Sequence, residues 1–155
     1  REDIAQEFNK ILKRHKGDPK HIILEIGEFA LFEKQEQIFS NLVKLSELGF
    51  SIAVDGLSLD IATINRLQKI KADIIKIRYQ MKEDEVFERK YLELLLEFAK
   101  EKNKLIIIEY VDNEEVIQTF LPQGIEVYQG YYFSAPLPFV EVNEFKNKYE
   151  ERYKK

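Results

Sequence analysis

The sequence predicts an α/β fold built on a parallel sheet, and three observations carry that expectation. Short runs rich in isoleucine and valine alternate with longer segments of helical period. The runs are apolar nearly throughout, as parallel strands covered on both faces must be. Each run then stops on a polar residue, at Glu25, Asp55, Lys76, Glu109 and Gln129, with Glu28 just beyond the first. Barrel enzymes place their chemistry at the carboxyl ends of their strands, so position in the element singles these residues out.

In chain order, Ile4, Ala5, Phe8, Ile11 and Leu12 have helical spacing within Glu2 to Lys13, and Gly17-Asp18-Pro19 ends that segment. His21 to Ile26 is the first strand. Helical period returns from Glu33 to Leu48 through Ile38, Leu42 and Leu45, with Gly49 as its carboxyl stop. Ser51 to Asp55 is the second strand. Asp60 caps a helix to Ile70, and Asp73 to Ile77 is the third strand. The longest helix runs from Lys82 to Lys102, with a broad apolar face of Phe87, Tyr91, Leu94, Leu95 and Phe98. Lys104 to Glu109 is the fourth strand. Asn113 caps a short helix to Phe120, Pro122 and Gly124 break it, and Ile125 to Tyr128 forms the fifth strand. A polar helix from Val142 to Tyr153 follows Pro136-Leu137-Pro138.

Strands alternating with helices give an α/β parallel sheet by the crossover rule. Eight such units close a barrel and five do not, so the chain reads as a partial TIM-type (β/α) barrel with about five of the eight units. The remaining units are expected upstream of Arg1, or in another chain that completes the ring. With Arg at position 1 and Met81 the sole methionine, residues 1–155 read as a single domain fragment excised from a longer protein.

Composition narrows the partners. The 45% hydrophobic and 34% charged content suits one folded core. Net charge is −4 with acids and bases interspersed, so no basic stripe marks a nucleic acid polymer as partner. No apolar stretch nears the ~20 residues of a membrane helix. The absence of cysteine removes disulfides and thiolate metal sites and fits a reducing, cytoplasmic setting. His15 and His21 lack a second ligand at metal spacing and carry no site.

The segment Tyr128-Gln129-Gly130-Tyr131-Tyr132-Phe133-Ser134-Ala135-Pro136-Leu137-Pro138 closely resembles the closing signature of the EAL family of bacterial cyclic di-GMP phosphodiesterases. Other segments fall in the family's order. Leu24-Glu25-Ile26-Gly27-Glu28 resembles its E-x-x-E strand end, and Ala53-Val54-Asp55-Gly56 stands where it has two consecutive aspartates. Ile75-Lys76-Ile77-Arg78 resembles its lysine strand, and Ile107-Ile108-Glu109-Tyr110-Val111 its E-G-V-E strand. The resemblance implies a modified TIM barrel in which carboxylates hold two Mg²⁺ or Mn²⁺ ions that activate water against a phosphodiester of cyclic di-GMP. By position it makes Glu25 and Asp55 metal ligands, gives Lys76 and Glu109 a part in placing the attacking water and second metal, has Gln129 support the site, and assigns ligand binding to Gln129, Gly130 and Tyr131.

Two departures set the functional expectation. Gly56 replaces the second aspartate and offers a hard cation no side-chain oxygen. Arg78 stands where the family usually has aspartate, on the same strand face as Lys76. There it is expected to pair with carboxylates and oppose a divalent ion. The loop Leu57-Ser58-Leu59-Asp60 also departs from the family's pattern. The first reading is a degenerate, catalytically inactive EAL-type domain, needing no metal, that acts in cyclic di-GMP signalling as a sensor or protein-interaction module. The second is an active phosphodiesterase producing linear pGpG with Mg²⁺ or Mn²⁺ once the upstream strands are present.

Structural roles stay open beside the functional ones. Glu25 and Asp55 are also suited to capping the segments after them. Lys76 is also suited to a buried salt bridge with Glu109 or Asp55. Gln129 to Phe133 also read as a turn with rim packing, packing being the role assigned to Tyr132 and Phe133. Partners expected are cyclic di-GMP, a protein or fused signalling domain, and a second copy through a spare apolar edge of the Lys82 to Lys102 helix.

Overall fold

Five parallel strands lie side by side in chain order, β1 (Ile23–Gly27), β2 (Ser51–Leu57), β3 (Ile74–Arg78), β4 (Leu105–Glu109) and β5 (Val127–Tyr128). The computed structural model describes residues 4–32, 35–57, 61–79 and 86–153. Between the strands run α2 (Gln35–Glu47), α3 (Ile61–Leu67), α4 (Val86–Glu101) and α5 (Glu114–Phe120), with α1 (Ile4–His15) before and α6 (Phe139–Tyr153) after. This all-parallel order with a helix in each crossover is the α/β architecture of a partial TIM-type barrel, as the sequence led us to expect.

One sheet face is the core. Ile52 and Val54 of β2, Ile75 and Ile77 of β3, and Ile106 and Ile108 of β4 are buried with Leu42 and Leu45 of α2, Leu67 of α3, Leu95 and Ala99 of α4, and Phe120 of α5. Alternation along each strand turns Glu25, Asp55, Lys76 and Glu109 to the other face. Register keeps their ends level: Gly27 pairs with Asp55 and Arg78 with Glu109.

β2 carries one irregularity that shapes the site. Its register to β3 shifts between Val54 and Leu57, so Leu57 pairs with Ile77 and returns to the core side. Gly56 supplies the extra residue with φ +67°, a left-handed conformation natural to glycine.

Helix ends follow local chemistry. The Asn113 side chain accepts the Val116 amide at 3.2 Å and caps α5. Gly49, at φ +99°, ends the α2 segment by donating to the Ser46 carbonyl. α6 begins at Phe139, earlier than helical period alone suggested, because Pro138 supplies the carbonyl for the Glu141 amide at 2.9 Å. β5 is shorter than expected. It pairs only with Ile107 and Ile108, while Ile125 instead closes the turn onto Phe120. The expected Asp60 cap lies outside the described residues. In α4 most of the broad face is core, with Tyr91, Leu92, Leu95, Leu96 and Phe98 buried and Leu94 exposed. No helix among the described residues is long and apolar enough to cross a membrane.

Candidate functional site

Lys76 is the hub of the polar face. It is 4% exposed, and its Nζ meets Glu109 Oε1 at 2.9 Å, Glu25 Oε1 at 3.0 Å and Asp55 Oδ1 at 3.5 Å. Four strand tips separated by many residues thus form one cluster. Two of the side chains are deeply buried, Lys76 and Glu109, the latter 5% exposed.

Burial works to depress the Lys76 ammonium, but the hydrogen bonds and charges of Glu109 and Glu25 outweigh it and hold the pKa above that of an ordinary lysine. Glu109 moves the other way from a simple ion pair. Burial raises its pKa, Lys76 opposes that, and the neighbouring Asp55 adds to the rise. Both directions are consistent, because one cation is shared among three carboxylates. Glu109 Oε2 is buried without a hydrogen-bond partner, so the carboxylate rests on the single contact that its other oxygen makes with Lys76.

Arg78 lies apart from this cluster. The expectation that it pairs with the acids is corrected by geometry: among the described residues, ion pairs to Glu25, Asp55 and Glu109 are made by Lys76. The exposed Arg78 guanidinium instead sits 4.6 Å from the Tyr110 ring centroid. Its other side touches Gly56, where an added Cβ would stand 3.4 Å from Arg78 Nη2. Tyr110, in the glycine position of the E-G-V-E pattern, holds φ +60° and is 57% exposed. A left-handed backbone costs a non-glycine residue ~1–2 kcal/mol, whereas an exposed cation–π contact returns ~0.5–1 kcal/mol. Stacking alone does not offset the strain.

Beside this pair, Glu109, Tyr110, Gln129, Gly130, Tyr131 and Pro136 line an open cleft of about 250 Å³. Gln129 is fixed through its backbone, its N–H donating to Ile108 and its carbonyl accepting from Val111. Gly130 passes so close to the Val111 backbone that no Cβ fits. The Tyr132 amide then donates to the Val111 carbonyl at 3.0 Å. Tyr131 projects outward, 75% exposed, while Phe133 packs on the core. Gly130 is therefore needed for backbone approach, which leaves Gln129 and Tyr131 facing the cleft.

A pair of divalent ions requires several oxygen ligands converging on each ion. Among the described residues no three His, Cys, Asp or Glu side chains are arranged to hold one. The acids converge on Lys76, and Gly56 adds no oxygen. By themselves the described residues do not supply the ligands of a two-ion centre.

The structure thus brings together Glu25, Asp55, Lys76 and Glu109, and places Gln129, Gly130 and Tyr131 on the adjoining cleft. Glu28 instead opens a single 3-10 turn, Glu28–Leu31. Tyr110 was missed by sequence reasoning. The signal was present: a bulky residue stands in a motif position held by glycine.

Parallel strands whose polar tips share one mouth define a barrel-type ligand or catalytic site. The family model described as the EAL domain matches residues 1–136, and the chain belongs to that family. Among curated relatives, a probable cyclic di-GMP phosphodiesterase of Escherichia coli K12, PdeA, is 29% identical over 142 residues, covering 90% of this chain and 20% of its own length. The cyclic di-GMP phosphodiesterase PdeF of the same organism is 29% identical over 150 residues, covering 90% and 19%. The chain thus spans about a fifth of these relatives. Among solved structures, the FimX EAL domain of Pseudomonas aeruginosa bound to c-di-GMP superposes with a TM-score of 0.75 at 22% identity, covering 86% of this chain and 56% of that one. The Bacillus subtilis YkuI protein, in complex with c-di-GMP and calcium, gives 0.70 at 22%, covering 95% and 38%. At such identities these neighbours show the fold alone.

Proposed function

We propose that residues 1–155 form part of an EAL barrel that binds cyclic di-GMP without hydrolysing it, serving as a sensor or docking module in a larger signalling protein. One observation carries this reading: the acids that would serve metal ions are drawn onto the buried Lys76 ammonium. Binding needs fewer groups than turnover, because it does not require complementarity to a transition state. The retained Gln129-Gly130-Tyr131 segment and its cleft support a nucleotide over a protein ligand at this mouth.

An active phosphodiesterase is the competing reading, favoured by the names of the relatives and by the convergence of Glu25, Asp55 and Glu109. A hydrolysis assay on the full protein with Mn²⁺ separates the two. The expected result is intact cyclic di-GMP after prolonged incubation, alongside saturable binding. Linear dinucleotide formed at many turnovers per enzyme would replace the first reading with the second.

A further inference from the structure

Arg78 is a cation that the acidic cluster does not use. It projects from the end of β3, between the β2 tip at Gly56 and the β4 tip at Tyr110. Among the described residues its guanidinium has no hydrogen-bonding or ion-pair partner, so its planar fork of N–H donors is available to an incoming group. The three positions meet at this tip. Gly56 lies alongside the Arg78 guanidinium, and Tyr110 keeps a strained backbone with its ring 4.6 Å from the cation. Residues held in sparsely populated conformations cluster at ligand clamps.

The chemistry on offer is specific. A guanidinium fork matches two oxygens of a phosphodiester. The exposed faces of Tyr110 and Tyr131 on the adjoining cleft match the bases flanking such a phosphate. We propose that Arg78, stacked on Tyr110, takes a phosphodiester group of the cyclic dinucleotide directly, so that binding requires no divalent ion. This rests on the nucleotide-binding reading above and names the group that carries it.

Titration calorimetry of the full protein with cyclic di-GMP, in EDTA and in Mn²⁺, tests the assignment with Arg78→Ala and Arg78→Lys. The wild type is expected to bind equally in both buffers. Arg78→Ala is expected to weaken binding by roughly tenfold to a hundredfold, as loss of a charge-assisted contact entails. Arg78→Lys, which keeps the charge but not the fork, should recover part of it. Thermal melts matching the wild type certify that the exposed substitution leaves the fold intact. Wild-type binding with undiminished affinity in Arg78→Ala, or binding that needs Mn²⁺, overturns the assignment and leaves the nucleotide-binding reading standing. No saturable binding by the wild type removes both.

Discussion

Replacing Lys76 by Met isolates the ion-pair hub. At 2.9 Å the attraction between Lys76 and Glu109 is on the order of 6 kcal/mol gross at an effective dielectric of ~20. The Glu25 and Asp55 side chains are 50% and 38% exposed, so solvent screens their share to about 1 kcal/mol each. Desolvation of the ammonium takes back several kcal/mol. Removal of one partner of a buried pair then leaves a net loss of about 3–5 kcal/mol, here because Glu109 is stranded in the core. The loss must depend on pH. Without Lys76, the Glu109 pKa rises further above its usual range. A carboxyl raised in the folded state stabilises fully below the unfolded value near 4.5 and loses that stability as pH climbs through the folded value. Lys76 itself, being raised, keeps its contribution at every pH below about 10.5, so the wild type shows no matching loss from this group near neutrality. Urea unfolding of the full protein followed by circular dichroism, at pH 7 and at pH 4.5, should find a wild-type-minus-variant gap that shrinks on acidification. Adding Glu109→Leu to Lys76→Met should restore most of the pH 7 loss. A gap under about 1 kcal/mol at pH 7, or one that does not change with pH, would refute the hub, since a buried uncompensated carboxylate costs more than that.

Three further variants probe the mouth. Gly130→Ala should destabilise by roughly 3 kcal/mol or more, because the new methyl meets the Val111 backbone, which cannot rotate away, in contrast to overpacked side chains at ~1–3 kcal/mol; the urea midpoint reads it. Tyr110→Gly should raise stability by roughly 0.5–1 kcal/mol, the left-handed strain minus the lost ring contact, while weakening cyclic di-GMP binding. A melting temperature that falls would contradict the strain at Tyr110. The double substitution Gly56→Asp with Arg78→Asp should create measurable Mn²⁺ binding by calorimetry where the parent has little, as it removes a cation and adds two carboxylates in a backbone conformation that aspartate tolerates.

Much of the fold was legible because its signals are local. The isoleucine-rich runs, the Asn113 cap and the Gly49 stop each act within a few residues, and each was found where periodicity and capping chemistry put it. Boundaries moved where a neighbour intervened. β5 kept two paired residues since β4 offers partners at Ile107 and Ile108, and α6 started early on the Pro138 carbonyl. The site was half legible. Strand ends identified Glu25, Asp55, Lys76 and Glu109, but strand position does not say which cation an acid chooses.

Composition and pattern, taken alone, determined that this chain is a parallel α/β arc with polar tips at one end, since burial on both faces permits little but β-branched residues inside each strand. Tertiary structure decided how those tips divide the work. Lys76 and Arg78 share a strand face two residues apart, yet one depth in the sheet buries the first among three acids and the next lifts the second onto Tyr110. That difference arises from solvent access and from the groups each side chain meets, which are properties of packed neighbours rather than of any residue's place in the chain.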